Sequence, residues 1–120
     1  MQIEFRGWDV DKKEMIYINS VNSNHLNMTW DGLVYENGKL QNIILMPFTG
    51  ILDANGKKIY EGDVVKFDRH SMYNVTTFIA PIVFKKGEFK TDLPGNLIAI
   101  GQLSTITIIG NIYENPELLS

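Results

Sequence analysis

No cysteine occurs among the 120 residues. Disulfides, thiolate nucleophiles, Cys-ligated zinc and iron–sulfur clusters are thereby excluded together, and a reducing, cytoplasmic setting is expected. Histidine is almost as scarce. His25 and His70 are the only two, each in its own polar stretch, so paired imidazoles for metal binding or proton transfer are not expected. A Ser–His–Asp set written from Asp68, His70 and Ser71 fails on geometry, because triad members converge from separate segments beside an oxyanion donor. No apolar run approaches the roughly 20 residues that a membrane helix requires. The longest, residues 78–84, is short and broken by Pro81. The opening MQIEFRGWD carries charge at once and lacks the apolar core of a secretory signal, so no membrane association is expected.

A clustered positive charge is also missing. The protein has 11 Lys plus Arg against 14 Asp plus Glu, a formal net charge of −3, and neither half is a basic arm. Nucleic-acid binding rests on neutralised phosphates and normally leaves a basic footprint. No GxGxxG or GxxxxGK[ST] phosphate loop occurs; Gly56-Lys57 lacks both the preceding glycine and the following Ser or Thr. The basic pairs Lys57-Lys58 and Lys85-Lys86 border turns. With Tyr60, Phe84 and Phe89 nearby they could form a single-strand binding surface of rings and cations, but lysines solvating hairpin ends over core aromatics fit the acidic balance better.

What is present is strand periodicity. Ile3 and Phe5 alternate with Glu4 and Arg6, which predicts an apolar face turned inward. EMIYI at residues 14–18 then completes a hairpin. Residues 20–32 are rich in Asn and Ser, with weak strand character only around 26–30. Asn37-Gly38 between residues 33–36 and 39–46 predicts a type I′ hairpin, since both central positions need positive φ. In the second half, residues 63–68 predict a strand, 69–74 a polar loop, and 75–84 a long strand. Lys86-Gly87 returns the backbone into 88–91, DLPGN at 92–96 is a loop, 97–100 is apolar, and 104–109 is a last strand. Pro81 should bend its strand or sit at an edge, because it cannot donate to a ladder. Asn115 and Pro116 suit the start of a helix with only a turn of residues left to form it. IYEG at 59–62 and IYEN at 112–115 are too short to be a repeat.

The acid-rich stretch TGILDANGKKIYEGDVVKF, residues 49–67, invites a calcium reading. A 12-residue EF-hand loop starting at Asp53 would place Lys57 and Lys58 where a ligand and the turn glycine belong, and Val64 at the final ligand position. Asp53-Ala54-Asn55-Gly56 instead has Asp first and Gly last, as a type I turn prefers. Glu61 and Asp63 then flank Gly62 at a strand start, where solvated acids are expected. Glu114 and Glu117, the remaining carboxylate pair, read as acids at a helix N-terminus rather than as a glycosidase pair. No catalytic residue, metal or cofactor is expected.

Three blocks together resemble the YopX-like proteins encoded by bacteriophages and prophages. FRGWD (5–9) is similar to that family's FRAWD, followed by EMIYI. LMPFTGILDANGKKIYEGDVVKF (45–67) is similar to its central LMQ-aromatic-TGLKDKNGKEIYEGDIVKF, and IIGNIYENPELL (108–119) to its C-terminal signature. Residues 20–44 and 69–106 carry no motif of the family. Gly7 stands where Ala is usual, Pro47 where Gln is common, and Ile51-Leu52 where Leu-Lys is expected. The resemblance implies an SH3-type barrel in the C-terminal part and self-association, and assigns no activity.

The expected fold is therefore mainly β with little helix: an N-terminal β-hairpin region, 1–46, and a small SH3-like β-barrel, 47–120. The expected function is that of a non-enzymatic phage or prophage accessory protein in the bacterial host cytoplasm, binding itself and a phage or host protein. Trp8, Arg6, Phe48, Tyr60 and Tyr113 are the candidate interface residues; Trp8 could equally close one end of the core. The alternative is a nucleic-acid-binding barrel contacting its ligand through Lys57, Lys58, Lys85 and Lys86.

Overall fold

A computed structural model describes residues 4–18, 26–28, 33–93, 96–102 and 105–119. Backbone contacts divide the protein into two compact units, residues 1–48 and 49–120. Both are built of antiparallel strands, and helix is limited to 3₁₀ turns at Ile100–Gln102 and Pro116–Leu119 among the described residues. The mainly-β class with little helix is thus the one observed.

In the first unit, β1 (Phe5–Asp9) lies between β2 (Glu14–Ile18) and the first half of β6 (Ile43–Leu52). A second, three-stranded sheet holds β3 (Leu26–Met28), β4 (Val34–Glu36) and β5 (Lys39–Gln41). β3 falls within the Asn- and Ser-rich stretch 20–32, the rest of which lies outside the described residues. The β4–β5 turn has positive φ at both Asn37 (52°) and Gly38 (79°), the type I′ geometry that the dipeptide predicts. Residues 39–46, expected as one strand, are two: the ladder breaks at Asn42, whose carbonyl accepts from Val10 N at 3.0 Å. The facing of β1 also departs from expectation. Glu4 and Arg6 are buried and Phe5 only half-buried, while Ile3 lies outside the described residues. An interior strand can be covered on both faces, and alternation then no longer separates an apolar inside from a polar outside. Elsewhere in this unit, Ile16, Ile43 and Leu45 pack against Val34. Gly7 is fitted to Ile43, because any Cβ there would overlap Ile43 Cγ2.

The second unit places β8 (Asp63–His70) inside its sheet, in the order β11-β10-β9-β8-β12. β9 (Val75–Lys85), β10 (Glu88–Leu93) and β11 (Asn96–Ala99) form a meander, and β12 (Thr107–Asn111) returns beside β8. β7 (Lys58–Tyr60) is a short strand that periodicity did not single out. Ile59, Val65, Phe67, Ala80 and Ile82 form the core, joined by Ile100 and Ile106. Phe67 and Phe78 are cross-strand partners with ring centroids 5.8 Å apart, a pairing that adds to their burial.

Several boundaries move. Arg69 and His70 extend β8 rather than joining a loop, Asp92 and Asn96 belong to strands, and the last strand begins at Thr107 rather than 104. Pro81 is tolerated in interior strand β9 because the β9–β10 ladder stops at Ile82–Thr91. Pro81 is thus paired on one side only, with Val64 of β8, and has no β10 partner on the other. The helix expected after Asn115 is a single 3₁₀ turn. Asn115 directs its side chain backward, its Oδ1 accepting from Asn111 N at 3.2 Å, rather than capping forward. That amide also covers Gly110, where a Cβ would stand 2.5 Å from Asn115 Oδ1 and 2.8 Å from Leu118 Cδ1.

Candidate functional site

The acids and amides that stand out in the sequence serve the backbone. Asp53 follows β6 directly. Its Oδ1 accepts from Asn55 N at 2.9 Å and from Lys57 N at 2.8 Å, while its Oδ2 accepts from Ile108 N in β12 at 3.1 Å. Gly56 N donates to Asp53 O at 3.0 Å, which closes the expected turn, and Ala54 N donates to Ile106 O at 2.8 Å. Asp53 is only 6% exposed. Burial alone would raise the pKa of this carboxyl. The N–H groups of Ile108, Lys57 and Asn55, helped by the Lys57 charge, outweigh burial and hold it below its ordinary value.

The same device closes two more strands. Asp9, last in β1, accepts at Oδ1 from Asp11 N (3.1 Å) and Lys12 N (3.0 Å), turning the backbone into β2. Asn111, last in β12, accepts at Oδ1 from Tyr113 N (3.0 Å) and Glu114 N (2.8 Å), and its Nδ2 donates to Glu114 Oε2 at 3.2 Å. Asx side chains mimic a turn's backbone in this way, satisfying N–H groups that leave a ladder. Asp63 corrects an expectation: it is not solvated but 2% exposed, and its Oδ2 accepts from Tyr60 N at 2.8 Å across the β7–β8 turn. Glu61 is half-buried. No three His, Asp or Glu gather into a metal-binding set among the described residues.

The residues expected at an interface separate. Tyr60 is 5% exposed and Arg6 is buried, so neither presents a surface anchor. Trp8, Phe48 and Tyr113 are half-buried. Trp8 sits in β1 between Met15 of β2 and Ile44 of β6, and Tyr17 and Ile44 beside it are exposed. The lysines divide between two hairpins. Lys57 and Lys58 border the Asp53 turn, whereas Lys85 ends β9 and Lys86 (φ 53°) begins its turn. Lys85 Nζ stands 4.0 Å from Asp92 Oδ2. Of the nearby rings, Phe84 is 51% exposed and packs on Phe89 with centroids 4.9 Å apart, so it does not fill the core.

The feature that residue patterns missed is a two-stranded β-ribbon. The β8–β12 ladder ends at Lys66 and the β9–β10 ladder at Ile82, yet β8 and β9 stay paired as far as His70 and Val75. Every residue from 69 to 77 is exposed. Thr77 Oγ1 donates to Asp68 Oδ1 at 2.7 Å across the ribbon, and Ser71 and Asn74 close its end through Ser71 N to Asn74 O at 2.8 Å. Those bonds leave Met72 and Tyr73 outermost, each 87% exposed. A Met-Tyr pair inside an otherwise polar stretch is the one signal of it in the sequence.

The family model described as YopX protein matches residues 4–120. Two solved structures share the fold. Protein EF1440 from Enterococcus faecalis is 26% identical, with a TM-score of 0.61 over 98% of each protein. Protein yopX from Bacillus subtilis is 24% identical, with a TM-score of 0.67 over 100% of each protein. No curated protein matches significantly.

Proposed function

The chain belongs to the YopX protein family, and from that premise we propose that it is a non-enzymatic interaction module of phage or prophage origin. It works in the host cytoplasm by associating with itself and with a phage or host protein. The observation that carries this reading is the β-ribbon tipped by Met72 and Tyr73. A ribbon exposed on both faces is marginal in water by itself, and large apolar side chains at its end gain most when another protein covers them. Its formal charges, Asp68 against Arg69, cancel, which favours a protein surface over a polyanion. The second unit is read as an SH3-like barrel that supports the ribbon. The absence of an activity is part of the same reading, and what supports it is that Asp53 gives both carboxylate oxygens, and Asp9, Asp63 and Asn111 one oxygen each, to main-chain N–H groups.

Size-exclusion chromatography with light scattering tests the reading. Wild type should run above monomer mass, and Met72→Ser with Tyr73→Ser should return it to monomer without loss of fold. A strict wild-type monomer at high concentration removes self-association.

One observation favours a second reading, nucleic-acid binding. The exposed Phe84 and its ring partner Phe89 lie next to Lys85 and Lys86, the ring-and-cation arrangement that stacks single-stranded bases. It requires salt-dependent retention of single-stranded DNA or RNA that weakens with Lys85→Glu plus Lys86→Glu. No binding at low salt ends it.

A further inference from the structure

Two Asn-Gly dipeptides occur, Asn37-Gly38 and Asn55-Gly56, and the fold treats them oppositely. We propose that Asn37 is a site of spontaneous covalent modification, deamidation and isoaspartate formation, and that the Asp53 turn protects Asn55 from the same reaction. In this reaction the Gly backbone nitrogen attacks Cγ of the preceding Asn. A new bond forms between that nitrogen and Cγ, the Cγ–Nδ2 bond breaks, and Nδ2 leaves as ammonia after taking up the Gly proton. The resulting five-membered imide is opened by water. Cleavage at one carbonyl gives Asp, and cleavage at the other gives isoAsp, whose backbone is longer by a methylene. Glycine on the C-terminal side leaves the attack unhindered, because it has no Cβ.

The attack needs the Gly nitrogen unengaged and able to move. Gly56 N–H is bonded to Asp53 O at 3.0 Å, with Asn55 N and Lys57 N held by Asp53 Oδ1 and Asp53 N bonded to Lys57 O at 2.7 Å. Swinging Gly56 N toward Asn55 Cγ would break this set around a buried carboxylate. Gly38 has none of these restraints. It is a central residue of a two-residue turn, beyond the Glu36–Lys39 pair, whereas space beside the two glycines is alike, since an added Cβ would meet nothing within 4 Å at either Gly38 or Gly56. Asn37, Gly38, Asn55 and Gly56 are all exposed, but the strands flanking Asn37-Gly38 are three residues each, with β5 at the sheet edge. Such short edge ladders open at low free-energy cost. Conversion at Asn37 adds a negative charge, and the isoAsp product lengthens the turn so that Glu36 and Lys39 lose register.

The test is peptide mapping by mass spectrometry of the full-length protein aged at mildly alkaline pH, with isoaspartate methyltransferase labelling to mark isoAsp. Peptides about 1 Da heavier should accumulate at residue 37 about tenfold faster than at residue 55. Asp53→Ala should bring residue 55 up toward the rate of residue 37. Should that variant not fold, ageing wild type in denaturing urea serves instead, and the two sites should then react at similar rates. Equal rates in the native protein, or a native difference that persists in urea, overturns the proposal.

Discussion

Asp53 Oδ2 accepts a hydrogen bond from Ile108 N at 3.1 Å, across 55 residues of sequence, while its Oδ1 organises the turn that Asp53 itself begins. One carboxylate thus fixes a local corner and fastens the last strand to it. Asp53→Ala leaves three N–H groups short of an acceptor and should lower stability by about 2–4 kcal/mol. Asp53→Asn should fall between, because an amide oxygen still accepts within the turn while an amide nitrogen placed at Ile108 N opposes a donor with a donor. Urea melts with unchanged m-values measure both. An alanine variant as stable as wild type would show that the bond is dispensable.

The same carboxyl gives a signed pH dependence. Its folded pKa lies below the ordinary 3.8, so the stabilisation is fully present above that value and is lost as pH falls through the folded one. The stability gap between wild type and Asp53→Asn should therefore be constant from neutral pH down to about pH 4 and shrink below it. Urea midpoints at a series of pH values read the gap. A gap that closes near neutrality contradicts the assignment.

Gly7 and Ile43 compete for one volume. Gly7→Ala pushes its methyl group into Ile43 Cγ2 and should cost about 1–3 kcal/mol as overpacking. Ile43→Ala opens the space at its own cost, so the double variant should be more stable than the sum of the singles by at least about 0.5 kcal/mol. Additive losses in thermal or urea melts would place the two residues out of contact.

Asn111 is an amide where Asp9 and Asp53 are acids, and Glu114 explains the difference. Its Nδ2 donates to Glu114 Oε2 at 3.2 Å, so Asn111→Asp keeps the acceptor for the turn but sets two carboxylates together. That variant should lose about 1 kcal/mol, and adding Glu114→Gln should restore most of it. No recovery in the double variant would mean that Glu114 is not the reason.

Much of the local structure was legible in residue patterns. Asn37-Gly38 and Lys86-Gly87 mark tight hairpins because positive φ at both central positions is demanded by the turn alone. The Asp53 turn is legible for the same reason: its bonds to residues 55 and 57 span only a few residues. The blocks FRGWD, TGILDANG and IIGNIYEN each end on or contain one of these Asx corners, so what identifies the family is in good part turn chemistry.

Burial was not legible. Asp63 reads as a solvated acid at a strand start, and Glu4 and Arg6 as the outer face of an alternating strand, yet all three are buried. Which side of a strand is covered depends on what pairs with it and packs over it, and those partners come from distant positions. The exposed ribbon is the converse case. Residues 69–77 carry ordinary strand and loop composition, and only where neighbouring ladders stop does it follow that nothing covers them among the described residues. The turns, the strand class and the family are written in the residues alone, because they rest on φ preferences, period-2 alternation and contiguous motifs. Which polar side chains are spent on backbone N–H groups, and which apolar ones stay outside, emerges only in three dimensions, because hydrogen bonds and burial are satisfied in space.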